Sequence, residues 1–165
     1  TRLNELHPEI HCAVTATTRA PRPDETEGAS YFFLSQEQFQ LMLDKDQFLE
    51  YAVVYGHRYG VPAGPIKNAL ASGFDVVVKT DVQGAWTIRQ KIPQAVLVFL
   101  QAPSLTELQR RLRDRSTESE QQLAIRIQKA QQELEQAVWF DHVVMNPTDD
   151  PDQPVSEIMR IIRSA

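Results

Sequence analysis

Apolar residues recur along this chain in two rhythms. Val76-Val77-Val78, residues 95–100 and Val143-Val144-Met145 are short unbroken apolar runs, the form taken by parallel strands buried on both faces. Residues 10–15 read as a further short strand. Between and after these runs the period lengthens to that of helices: 81–92, 105–115, a long polar stretch at 118–138, and 155–163, where Ile158, Ile161 and Ile162 share a face. Ser104, with Glu107 three positions on, reads as a capping box for the second of these helices. Residues 1–6 read as the tail of a helix ended by His7-Pro8. Strands alternating with helices predict an α/β core with a parallel sheet and right-handed crossovers.

Residues 17–72 break that rhythm and read as a mixed β insertion. Residues 17–28 form a Pro-rich charged loop, 31–34 a strand, and Ser35 with Gln38 a capping box that starts a helix running to about Leu43. The alternating stretch 48–55 predicts a strand that places Phe48 and Glu50 on one face. Gly56 marks a turn before Arg58-Tyr59, and 62–72 predicts a helix stopped by Gly73.

The 165 residues, 42% apolar and 24% charged, suit one soluble domain with a real core. A net charge of −5 argues against a general nucleic-acid or anionic-membrane surface, so any anion site must be a local arginine cluster. Cys12 is the single cysteine, which excludes an intrachain disulfide and makes a reducing cytoplasm the simplest setting. No apolar run approaches transmembrane length and no signal peptide is visible.

Candidate chemistry starts in the segment Thr15-Ala16-Thr17-Thr18-Arg19-Ala20-Pro21-Arg22-Pro23. The two prolines keep it extended, and its two guanidinium forks suit phosphate oxygens. Tyr31 adds a hydroxyl from the next strand, and Tyr59 can supply another. Glu50 sits in the apolar run Phe48-Leu49-Glu50-Tyr51; as a surface residue it would carry no information. In a pocket, its carboxylate would accept both pairing-edge donors of guanine and repel the N1 acceptor of adenine. Asp81 follows a buried strand and opens a helix, the usual binding edge of an open α/β sheet, and equally a plain N-cap position. Arg111 and Arg115 are four apart on one helix face, and Arg126 lies on the next helix; around the Ser116-Thr117 break they would form a cationic lid over phosphates.

Together, Thr15-x-x-Thr18-Arg19-x-x-Arg22, Gly28-x-x-Tyr31-x-Phe33, Phe48-Leu49-Glu50, Tyr59-Gly60, Asp81-Val82-Gln83-Gly84, Pro103-Ser104 with Arg110-Arg111-Leu112, and Val143-Val144-x-Asn146 resemble guanylate kinases over essentially the whole chain. The resemblance implies a P-loop nucleoside monophosphate kinase fold, with a core at 1–16, 73–110 and 137–165, a GMP-binding region at 17–72 and a lid at 111–136. It implies that Arg19, Arg22, Tyr31 and Tyr59 hold the GMP phosphate and that Thr15, Glu50 and Asp81 read or position guanine. Arg111, Arg115 and Arg126 would approach the transferring phosphoryl group, and Asn146 the adenine edge of ATP. Mg²⁺ would accompany ATP as co-substrate, and the products would be GDP and ADP; no protein metal ligand is assigned.

The family's glycine-rich G-x-x-x-x-G-K-[ST] loop and first core strand would precede the first helix, and no such motif occurs in the sequence as given. The chain as given is therefore expected to bind GMP better than it catalyses. The alternative is an inactive guanylate kinase-like module that binds GMP or phosphorylated peptides. Three positions depart from the family pattern: Lys79 stands for an acid, Val61 for a hydroxyl residue of the purine pocket, and Ser116 for a lid glycine.

Overall fold

The Ser35 side chain accepts a hydrogen bond from Gln38 N, and the Gln38 side chain accepts one from Ser35 N; this reciprocal box starts a helix at Gln36. In the computed structural model, which describes residues 2–54, 56–114 and 120–165 (for Gln122 the backbone alone), the chain divides into two compact units. One comprises residues 3–95, the other Arg2 with residues 96–165.

The first unit follows helix α1 (Arg2–Leu6) with β1 (His11–Cys12), which pairs in parallel with β6 (Val76–Val77). The strand expected over 10–15 is shorter, because the chain leaves β1 and pairs again as β2 (Ala16–Thr17) in a second sheet. That sheet has the order β3-β2-β5-β4, with β3 at Phe32–Phe33, β4 at Phe48–Val54 and β5 at His57–Pro62. Strand β2 runs parallel to β3 and antiparallel to β5, and β4 and β5 form a hairpin. This is the mixed β region the sequence predicted. The Val76–Val78 run is half-buried rather than sealed on both faces, since β6 belongs to a two-stranded sheet among the described residues.

A register shift between Phe48 and Glu50 reshapes β4. Phe48 pairs with Pro62 and Glu50 with Val61, neighbours on β5 that face opposite ways. Phe48 and Glu50 therefore lie on opposite faces, not on one face as strict alternation predicted. Phe48 stacks on Phe39 of α2 (Gln36–Asp44) with ring centroids 4.5 Å apart and joins Ala16 in one core cluster. Leu49 packs with Val61, Ile66 of α3 (Ala63–Ala71) and Ile88 of α4 (Val82–Lys91) in another. Gly73, at φ +81°, ends α3 in the left-handed region as expected of a helix stop. The Asp81 carboxylate caps α4 by accepting from Gly84 N at 2.8 Å.

In the second unit β7 (Val98–Gln101) pairs in parallel with β8 (His142–Met145). Helices α5 (Leu105–Asp114) and α6 (Glu120–Glu135) lie between them, a 3₁₀ turn spans Gln136–Trp139, and α7 (Asp152–Ile162) follows. Val144 is fully buried, whereas Val143 and Met145 are 44% and 38% exposed, so β8 alternates instead of being buried throughout. The buried face of α7 is Pro154, Val155, Met159 and Ile161, with Ile158 and Ile162 only half-buried at its edge. Ser104 Oγ caps α5 by accepting from Glu107 N, but the Glu107 carboxylate turns to Arg110 and Arg111.

Candidate active site

The β4 register shift turns Glu50 to the face opposite Phe48, where it lines a cavity of the first unit. This cavity, about 240 Å³, is lined by Thr15, Tyr31, Glu50, Ala52, Val54, Tyr59, Lys79, Thr80 and Asp81. Strands β4 and β5 supply its wall: Ala52 pairs with Tyr59, two positions along from the Glu50–Val61 pair. The turn after β6 supplies Lys79, Thr80 and Asp81. Five residues singled out from the sequence (Thr15, Tyr31, Glu50, Tyr59 and Asp81) thus converge from distant segments.

Glu50 is only 5% exposed. Thr80 Oγ1 donates to its Oε1 at 3.0 Å. Burial raises the Glu50 carboxyl above its ordinary value; the Thr80 bond opposes that rise, Asp81 adds to it and Lys91 lowers it. Val61 is sealed in the core beneath, where a hydroxyl would have to find a partner.

Arg19 lies beside the aromatic pair that borders the cavity. Its guanidinium carbon stands 5.4 Å from the Tyr31 ring centre, and the Tyr31 and Tyr59 rings meet edge-on at 6.2 Å. Nη1 and Nη2 donate to the two Glu25 carboxylate oxygens at 2.9 and 2.8 Å, and Nη1 also donates to Ala20 O at 2.7 Å. Glu25 raises the guanidinium further above its usual range, burial opposes this, and the nearby Tyr59 hydroxyl adds to the rise. Glu25 itself is held below the ordinary carboxylate value by Arg19 and by the Arg22 backbone N–H, which donates to Oε2 at 2.8 Å. Arg22 follows on exposed backbone, and its side chain is not among those lining the cavity.

A separate cluster lies in the second unit. Arg111 donates through Nε to Glu107 at 2.8 Å and through Nη2 to Asn146 O at 2.7 Å and Thr148 Oγ1 at 2.8 Å. The Thr148 hydroxyl also bonds Glu107. Arg110 closes on the same carboxylate, and the three partners hold Glu107 far below the usual carboxylate range. Arg111 and Asn146, assigned separately from the sequence, are thus brought together. Arg126 is half-buried on α6. Arg115 and Ser116 lie outside the described residues, as does the lid-hinge reading that rests on them.

Glu25 and Thr80 were not among the candidates from the sequence. Glu25 reaches Arg19 by the folding of a loop, which no periodicity announces, and a threonine before an N-cap aspartate has no signature of its own. Lys79 was visible only as a departure from a family pattern.

A carboxylate sunk in a cavity, an arginine beside a pair of tyrosines, and α/β topology suit a nucleotide-handling enzyme of the nucleoside monophosphate kinase class. A family model for guanylate kinase matches residues 3–165. The guanylate kinase of Synechococcus sp. strain CC9311 is 41% identical over 157 residues, 95% of this chain and 82% of that protein. A guanylate kinase of Thermus thermophilus is 40% identical over 150 residues, 91% and 67% respectively. The crystal structure of guanylate kinase from Anaplasma phagocytophilum superposes with a TM-score of 0.81 at 28% identity, covering 98% of this chain and 78% of that one. The chain belongs to the guanylate kinase family.

Proposed function

We propose that the first unit's cavity receives the guanine end of GMP. As a guanylate kinase the chain transfers the γ-phosphoryl group of ATP to GMP, giving GDP and ADP. The observation that carries the site reading is Glu50, a carboxylate 5% exposed whose known partner engages only one of its oxygens. Guanine offers N1–H and N2–H side by side, and a carboxylate accepts both; adenine offers an acceptor at N1 and leaves a buried acceptor opposed. Thr15 and Asp81 position the base, and Arg19, Arg22, Tyr31 and Tyr59 take the phosphate. Glu25 and Ala20 occupy three of the five Arg19 N–H donors, which leaves two for incoming phosphate oxygens.

The acceptor is a phosphate oxygen already anionic at neutral pH, so the reaction calls for no strong general base. Alignment and charge neutralisation supply the rate. On the second unit, Arg111 and Arg126 serve the transferred phosphoryl group and Asn146 the adenine edge. Mg²⁺ enters bound to the ATP phosphates, as part of that substrate. We assign residues 17–72 to GMP binding, 111–136 to the lid, and 1–16, 73–110 and 137–165 to the core. Among the described residues no helix is long and apolar enough to cross a membrane, and the lone thiol of Cys12 supports a cytoplasmic setting.

Calorimetric titration with GMP and AMP tests the site. The parent protein is expected to prefer GMP and Glu50→Gln to lose that preference, because an amide nitrogen replaces one acceptor. Unchanged selectivity in Glu50→Gln would remove Glu50 from base reading.

A further inference from the structure

Thr80, just before α4, and Gly84, in its first turn, bracket the Glu50 carboxylate. Thr80 Oγ1 donates to Oε1 at 3.0 Å. Gly84 approaches so closely that a Cβ there would lie 2.7 Å from Oε2 and 2.9 Å from Cδ, and would collide with Thr80 Oγ1 itself. Across the β hairpin, the register partner of Glu50 is Val61, fully buried, which offers methyl groups only. The donor that the fold brings to this carboxylate is therefore the Thr80 hydroxyl.

We propose that Thr80 is a positioning residue for guanine recognition, its hydroxyl fixing the rotamer and plane of Glu50 so that the remaining lone pairs stay aimed at the base. The inference rests on the reading of this cavity as the GMP site. A glutamate has three side-chain torsions, and two parallel hydrogen bonds to a flat base require its terminal plane to match the ring plane. Thr80 anchors one oxygen from the protein side, and the bare Gly84 backbone leaves room for the other without displacing it. Part of the ordering cost is then met before the ligand arrives.

The same bond favours the ionised carboxylate, the form that accepts from guanine. The charged and titratable groups facing Glu50 are Lys79 and Asp81 from the turn before α4, Lys91 at the end of α4, Tyr59 from β5, and Tyr31 just before β3. Asp81 works against ionisation and Lys91 for it. Removing the Thr80 hydroxyl shifts this balance toward the protonated acid.

The test titrates GMP and AMP into the full chain carrying Thr80→Val, with Thr80→Ser as the conservative rescue. At pH 7.5 Thr80→Val is expected to weaken GMP about tenfold, the size of one hydrogen bond to a charged group, and to leave AMP unchanged. Thr80→Ser is expected to stay within about twofold of the parent for GMP. The acid limb of GMP affinity moves to higher pH in Thr80→Val and not in Thr80→Ser. Thr80→Ala, which adds no bulk beside Gly84, makes the same comparison if the valine destabilises the fold. GMP affinity and acid limb equal to the parent in Thr80→Val would overturn the proposal, and so would equal weakening of GMP and AMP. A parent protein with no preference for GMP over AMP would instead overturn the reading of the site.

Discussion

Arg19 and Glu25 are locked together end to end: Nη1 and Nη2 lie 2.9 and 2.8 Å from the two carboxylate oxygens, with side chains only 16% and 12% exposed. The pair closes the Pro-rich loop upon itself, because Glu25 also accepts from the Arg22 backbone. Glu25→Gln keeps the shape and removes the charge. It is expected to weaken GMP on the order of tenfold, since a guanidinium no longer held in place loses its aim, while guanosine, which lacks the phosphate, binds as before. Parallel titrations of the two ligands check this; equal losses would mean that the loop had simply disordered the cavity.

The same pair sets an acid dependence. Glu25 is held below its ordinary value of 4.5, so its contribution to stability is fully present above that value. It is lost only as pH falls through the lower folded-state value. The stability gap between the parent and Glu25→Gln, read from urea unfolding, is expected to stay level from pH 7 to about 5 and to close well below it.

Glu50 has the opposite sign. Burial raises its folded-state carboxyl above 4.5, so its ionised form costs stability once pH rises through that raised value. Glu50→Gln is expected to melt at or above the parent temperature at pH 8, with the advantage shrinking as pH falls from the raised folded-state value toward 4.5 and absent below it, where both states of the parent are protonated. A thermal scan across that range reads the crossover. The residue proposed to read guanine is thus kept at some expense of stability.

Gly84 stands where any side chain meets the site. Alanine is normally the better helix residue by about 1 kcal/mol, but here its Cβ falls 2.7 Å from Glu50 Oε2. Gly84→Ala is expected to destabilise the protein by about 1–2 kcal/mol in urea unfolding through overpacking and to weaken GMP by moving Glu50 and Thr80. A more stable Gly84→Ala with unaltered GMP affinity would contradict the close approach.

Arg111 spans from α5 to the Asn146 and Thr148 positions with bonds of 2.7 and 2.8 Å. Lysine preserves the charge but cannot serve Glu107, Asn146 O and Thr148 in one plane. Arg111→Lys is expected to lower phosphoryl transfer about tenfold and leave GMP affinity at the parent value, as measured by a coupled ADP assay beside GMP titration.

Much of this architecture was legible one segment at a time. The Ser35–Gln38 box, the Asp81 cap, the Gly73 stop and the hairpin around Gly56 all depend on neighbours a few residues apart, and residue type at fixed spacing carries that information directly. So did the sequence signature of Arg19, Tyr31, Glu50, Tyr59 and Asp81, whose order along the chain is that of guanylate kinases. What spacing could not carry was which of these residues meet which partners. The shift at Phe48 and Glu50 turns the two residues to opposite faces because β5 sets the register of β4, and no local pattern in β4 records where its partner slips. Glu25 was hidden for a similar reason: its hold on Arg19 depends on the path of a loop without periodicity. Sequence alone therefore determined the family, the elements and the chemistry available, since these follow from short-range backbone preferences and residue identity. Tertiary structure decided that Glu50 is buried, that Thr80 rather than a residue of β5 supplies its hydrogen bond, and that Glu25 holds Arg19, because burial and side-chain pairing arise only when the chain folds back on itself, across 30 residues for Glu50 and Thr80 and within one aperiodic loop for Arg19 and Glu25.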